Sequence, residues 1–109
     1  MKDIKKYIDS VIRENKIVLF MKGSLSFPMC GFSGKVVRIL KECSLNNNNI
    51  LSVNVLEDDN IRQGIKDYSD WPTIPQLYID GCFIGGADIV SELYLNGELK
   101  KMLEHINFS

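Results

Sequence analysis

The sequence predicts an α/β fold with a four-stranded mixed β-sheet flanked by helices, and three local signals carry that prediction. Ile17–Met21 is a continuous apolar run of strand length, the pattern of a central strand buried on both faces. A helical-period segment separates it from a second apolar run, which gives a βαβ unit with two parallel neighbours. Asp80-Gly81, set between the apolar runs 77–79 and 82–84, predicts a two-residue β-hairpin.

The elements follow in order. Ile4, Tyr7, Ile8, Val11 and Ile12 share one face of an amphipathic helix ending near Asn15. After the first strand, the loop Lys22 to Met29 leads to Cys30, and Phe32, Val36, Ile39, Leu40 and Cys43 recur at helical spacing. A helix should therefore open at Cys30 or Gly31 and run to about Cys43, with Cys43 on its apolar side as a structural residue. The tract Asn46-Asn47-Asn48-Asn49 reads as a loop without a chemical role, and residues 50–55 as the second strand. Asp58 or Asp59 suits the cap of a short helix in which Ile61, Ile65 and Tyr68 share a face, Gly64 weakens the middle, and Arg62 lies off that face. Two prolines three apart force extended backbone through Trp71-Pro72-Thr73-Ile74-Pro75-Gln76. After the hairpin, Gly85-Gly86-Ala87-Asp88 opens a helix bearing Ile89, Val90, Leu93 and Tyr94. Asn96-Gly97 stops it, and Leu99, Met102, Leu103 and Ile106 mark a last helix.

The loop from Lys22 to Ser33 delivers one thiol to a helix start. The first N–H groups of a helix lack internal partners and carry the positive end of its dipole, so an anion is favoured there. With Lys22 nearby, Cys30 should fall from the free value of about 8.5 into the range of roughly 3.5 to 7.5 that such sites show. Cys30 is thus the candidate for a working thiolate. The plainer reading of a lone cysteine is a small core residue, but Pro28 and Gly31 flank a junction where burial is difficult.

With 109 residues, 45% hydrophobic content and a formal net charge of -1, residues 1–109 are expected to form one soluble domain with a single core. Lysines are spread rather than massed, which leaves nucleic-acid binding without an electrostatic footprint. No apolar run approaches the ~20 residues of a membrane helix. Three cysteines without paired spacing argue against a secreted disulfide framework and for an intracellular location. Cytoplasm and mitochondrial matrix both fit.

Cys30-Gly31-Phe32-Ser33 resembles the active-site signature of the monothiol glutaredoxins. Lys22-Gly23-Ser24, Trp71-Pro72-Thr73-Ile74-Pro75-Gln76 and Gly85-Gly86-Ala87-Asp88 resemble the family's other motifs, in the same order. The likeness runs from about Lys16 to Leu103 and implies the thioredoxin fold, a cis Ile74-Pro75 bond and a glutathione site. In that site Lys22 and Arg62 suit the glycyl carboxylate, and the backbone of Ile74 before Pro75 suits the cysteinyl amides, beside Thr73. The Ala87 and Asp88 N–H groups suit the γ-glutamyl carboxylate, the Asp88 side chain suits the ammonium, and Gly86 lets the ligand approach. Each has a plainer rival: Asp88 also suits an N-cap, Lys22 and Arg62 a solvated surface, and Gly85 and Gly86 tight backbone.

Ser33 stands where a second cysteine would resolve a mixed disulfide, so the intramolecular dithiol route is closed there. The resemblance instead implies a glutathione-ligated 2Fe-2S cluster: a homodimer supplies two Cys30 thiolates and two glutathione thiols, making the four such a cluster takes. Phe32 and Trp71 would shield it, though the core is open to both. BolA-like proteins and apo iron–sulfur recipients are the implied partners. The alternative is a glutathione-dependent thiol–disulfide oxidoreductase acting through Cys30 by a monothiol route, at most a weak enzyme. One departure from the family pattern is Ala87, where many members carry cysteine. Cys82 in the neighbouring strand is read as structural.

Overall fold

The structure, a computed structural model, describes residues 3–106. Its elements are α1 (Ile4–Glu14), β1 (Ile17–Met21), α2 (Gly31–Glu42), β2 (Leu51–Asn54), α3 (Asp59–Ser69), β3 (Gln76–Ile79), β4 (Cys82–Gly85), α4 (Ala87–Leu95) and α5 (Glu98–Glu104). One four-stranded sheet has the order β2-β1-β3-β4, with β1 parallel to β2 and antiparallel to β3, and β3 antiparallel to β4. The expected mixed sheet, with its βαβ unit and hairpin, is present.

β1 is buried along its whole length because helices cover both faces of the sheet. Alternation then divides its side chains. Ile17, Leu19 and Met21 join Val36, Leu40, Val90 and Leu99 from α2, α4 and α5, whereas Val18 and Phe20 join Ile8, Ile12 and Ile65 from α1 and α3. Cys43, the C-cap of α2, packs half-buried against the first of these cores, and burial pushes its thiol pKa up. Its structural reading agrees.

Four local expectations need correction. The second strand stops at Asn54, because the Asn54 Oδ1 accepts from Leu56 N–H and Gly23 N–H, both at 3.0 Å, and turns Val55–Glu57 into a 3-10 segment. Gly64 is not a weak point in α3 but a place where α1 packs tightly: a Cβ there would meet Ile4 Cγ2 at 2.5 Å. Asp88 is not the N-cap of α4; Gly86 is, and Asp88 lies in the first turn. Cys82, read as structural, is exposed at the start of the edge strand β4. The hairpin turn itself is as expected, with Asp80 at φ 52 and Gly81 at φ 82, the left-handed pair a type I′ turn requires.

Candidate thiol and ligand cleft

Cys30 is the N-cap of α2, with extended backbone, and its carbonyl accepts the first helical bond from Gly34 N–H at 2.9 Å. The loop before it is closed on itself. Met29 N–H donates to Lys22 O at 2.9 Å, Ser24 N–H to Phe27 O at 3.1 Å, and Phe27 N–H to Ser24 Oγ at 3.1 Å. Gly23, at φ 90, makes that closure possible, since a side chain there would collide with the backbone of Phe27 and Met29. Apolar side chains of this loop and of the first turn of α2 face outward: Phe27 is 79% exposed, Met29 70% and Phe32 62%.

The Cys30 thiol is held below its ordinary range, first by the Ser33 N–H. The Phe32 N–H, the Lys22 charge and the Ser33 hydroxyl act in the same direction, and partial burial opposes them. The backbone at the helix start therefore outweighs the lysine. Ser33 itself is fully buried, and its Oγ accepts from Lys22 N–H at 3.1 Å.

An open cleft of about 510 Å³ begins at Cys30. The structure brings to it all ten residues singled out from the sequence: Lys22, Cys30, Phe32, Arg62, Thr73, Ile74, Pro75, Gly86, Ala87 and Asp88. Lys66, Trp71, Pro72 and Ile89 complete the lining. Lys66 was missed, although it follows Arg62 by one helical turn and so shares its side of α3. Among the described residues, none of Lys22, Arg62, Lys66 and Asp88 is in an ion pair. Both helix starts at the cleft, α2 and α4, lack a side-chain cap, whereas Asp3 and Asp58 cap α1 and α3. The cleft thus combines cations and one carboxylate outside any ion pair with helix-start N–H groups that no side chain caps.

The third wall is the loop from Trp71 to Pro75, whose Ile74-Pro75 bond is cis. Trp71 is half-buried against Phe83, with ring centroids 5.6 Å apart, and its Nε1 is buried without a hydrogen-bond partner. A Cβ on Gly86 would stand 3.3 Å from Pro75 O and 3.4 Å from Trp71 Nε1, so glycine keeps this corner open. Among the described residues, no group of three or more His, Cys, Asp or Glu side chains could hold a metal. A metal centre at Cys30 would need ligands from outside the chain. No helix among the described residues is long and apolar enough to cross a membrane.

A mixed four-stranded sheet between two helical layers, with a solitary thiol at a helix start beside a cleft, defines a thioredoxin-like fold. The glutaredoxin family profile matches residues 17–84. A probable monothiol glutaredoxin 2 of Rickettsia typhi is 54% identical over 99 residues, covering 91% of this chain and 86% of that protein. The mitochondrial monothiol glutaredoxin-5 of Schizosaccharomyces pombe is 48% identical over 103 residues, covering 94% and 70%. The solution structure of reduced poplar apo GrxS14 superposes with a TM-score of 0.78 at 52% identity, covering 93% of this chain and 90% of that one. The chain belongs to the glutaredoxin family, in its monothiol branch.

Proposed function

We propose that this chain binds glutathione in the cleft and carries a 2Fe-2S cluster as cargo between two copies of itself. Each copy would contribute the Cys30 thiolate and one bound glutathione thiol, and the cluster would pass to apo iron–sulfur proteins in maturation or iron homeostasis. The observation that carries the reading is the pairing of one half-buried, lowered thiol with a buried Ser33, beside a cleft whose free charges complement glutathione.

Within that cleft Lys22, Arg62 and Lys66 offer cations to the glycyl carboxylate. The uncapped N–H groups of Ala87 and Asp88 suit the γ-glutamyl carboxylate, and the Asp88 carboxylate suits the ammonium. Thr73 and the Ile74 backbone lie between, where a peptide can add as a short strand. A chain with one usable thiolate and one bound glutathione supplies two of the four thiolates such a cluster takes, so two copies complete the set. The exposed Phe27, Met29 and Phe32 around Cys30 give a second copy an apolar surface to cover. BolA-like proteins are the partner class to try first as an alternative second subunit. The names of the relatives cover bacterial and mitochondrial proteins, so the compartment is left to the host cell.

Anaerobic reconstitution with iron, sulfide and glutathione, read by visible absorption and sizing, tests the reading. A coloured dimer that needs both Cys30 and glutathione supports it, and colourless monomers in wild type and Cys30→Ser alike refute it.

The lowered Cys30 thiol also favours a second reading, glutathione-dependent removal of glutathione from protein thiols. The Cys30 thiolate would attack the glutathione sulfur of a protein mixed disulfide, releasing the protein thiolate and forming a Cys30–glutathione disulfide. A second glutathione thiolate would then attack that disulfide, giving glutathione disulfide and free Cys30. Sustained turnover in a coupled glutathione assay distinguishes this role from cluster carriage.

A further inference from the structure

We infer that Gln76 is a positioning residue for the cleft: its buried amide holds the Trp71–Pro75 loop so that the Ile74 N–H faces the ligand. The inference rests on the glutathione reading and adds to it a residue that does not line the cleft.

Gln76 opens β3 and is fully buried. Its Nε2 donates to Trp71 O and to Thr73 O, both at 3.2 Å, and its Oε1 accepts from Tyr78 OH at 3.2 Å. Chemistry determines which way the amide lies. Carbonyl oxygens only accept, so a reversed amide would set its own oxygen against two others and lose both bonds. One NH₂ group therefore spans two loop carbonyls two residues apart. Tyr78, two residues on along the same strand face, holds the other end of the amide. Burial pushes the Tyr78 hydroxyl up to about 12, so it remains a donor throughout the neutral range.

The consequence for the ligand follows from the peptide plane. The Thr73–Ile74 bond is trans, so the Thr73 carbonyl and the Ile74 N–H point in opposite directions. With the carbonyl drawn inward to Gln76, the N–H is turned outward, to the side where Thr73 and Ile74 line the cleft. The Ile74 side chain is anchored in the core beneath α1 and α3 and is 8% exposed, which holds the same residue from a second direction. Among the described residues the Ile74 N–H has no hydrogen-bond partner, so the donor is free for an amide carbonyl of the ligand. Glutamine alone meets these needs: asparagine is one methylene shorter, glutamate brings acceptors to two acceptors, and an apolar side chain leaves both carbonyls undonated.

The test uses the full chain and Gln76→Met, which keeps the side-chain length and removes both donors. Reduced glutathione binding is measured by ¹⁵N-resolved NMR titration, and Cys30 reactivity by its alkylation rate against pH. The expected result is about a tenfold rise in the glutathione Kd with the alkylation rate and its pH midpoint unchanged. That split arises because the groups lowering Cys30 (Ser33, Phe32 and Lys22) lie outside the loop. Equal affinity in both proteins overturns the inference. So does a joint loss of affinity and Cys30 reactivity, which marks Gln76 as a general structural residue.

Should Gln76→Met fail to fold, wild type decides. Its Ile74 amide resonance must move on titration while the Gln76 side-chain NH₂ stays in place. An Ile74 amide that stays still while the Lys22 and Asp88 amides move overturns the inference with the glutathione site intact. A wild-type spectrum unchanged throughout refutes the glutathione reading and this assignment together.

Discussion

The buried Ser33 hydroxyl accepts the Lys22 N–H at 3.1 Å, which ties the residue leaving β1 to the first turn of α2. Lys22 O accepts from Met29 N–H as well, so both backbone groups of Lys22 are held at the base of the Cys30 loop. A serine at this position therefore does more than withhold a second thiol. Ser33→Ala should destabilise the fold by about 1–3 kcal/mol, the cost of leaving such a donor unpaired. It should also raise the pH midpoint of Cys30 alkylation slightly, since the hydroxyl is the smallest of the groups lowering that thiol. Urea unfolding and alkylation across pH read the two effects separately.

Cys30 should alkylate with a midpoint below the ordinary thiol value of about 8.5. A pKa lowered by folding means the folded state binds fewer protons than the unfolded chain. The resulting stability relative to Cys30→Ser is complete above the unfolded value and lost as pH falls through the folded one. Paired urea titrations at several pH values between 5 and 9.5 should show wild type gaining on the variant as pH rises; a flat difference would contradict the lowered thiol.

Lys22→Gln separates charge from backbone. The Ser33 and Phe32 N–H groups remain, so the Cys30 alkylation midpoint should rise only a little. Glutathione affinity should fall about tenfold, about 1.4 kcal/mol, if Lys22 meets a carboxylate as proposed. Titration calorimetry measures the affinity, and an unchanged Kd would remove Lys22 from the ligand contacts.

Gly64→Ala should reverse the usual sign. At an exposed helix interior this change gains about 1 kcal/mol. Here the new Cβ would meet Ile4 Cγ2 at 2.5 Å and Ile8 Cδ1 at 3.1 Å, so α1 must move off α3. A loss of about 1–3 kcal/mol is expected from such overpacking. Thermal unfolding of the two proteins checks it.

The tie between α1 and α3 also carries a pH dependence. Tyr68 OH donates to Asp9 Oδ1 at 2.8 Å, and this bond, with help from Arg13, holds the Asp9 carboxyl below its usual value of about 3.9. The stability it gives is present above that value and lost as pH falls through the lowered one. Tyr68→Phe should thus be less stable than wild type at pH 6, with the gap closing below about pH 3.9. Acid unfolding series of the two proteins measure the gap.

Much of this protein was legible in its sequence because the signals were local. A five-residue apolar run, an Asp-Gly pair and helical spacing depend on nearest neighbours and on which face is buried, and β1, the hairpin and α2 appeared where those signals placed them. The order of motifs likewise nominated ten residues that the structure gathers into one cleft. What the sequence left undecided depends on groups distant along the chain. Gly64 reads as a weak helix position until Ile4 is packed against it, and Cys82 reads as structural until it proves to be exposed on the sheet edge. Ser33 reads as a missing thiol until folding brings Lys22 N–H to its hydroxyl, eleven residues away. Lys66 carries no motif and Gln76 only closes one, and only the cleft and the loop carbonyls above β3 give them work. Local propensity and pattern determined the elements and the thiol; close approach between elements, which no local pattern encodes, decided which polar groups are satisfied, which stay free and where they point.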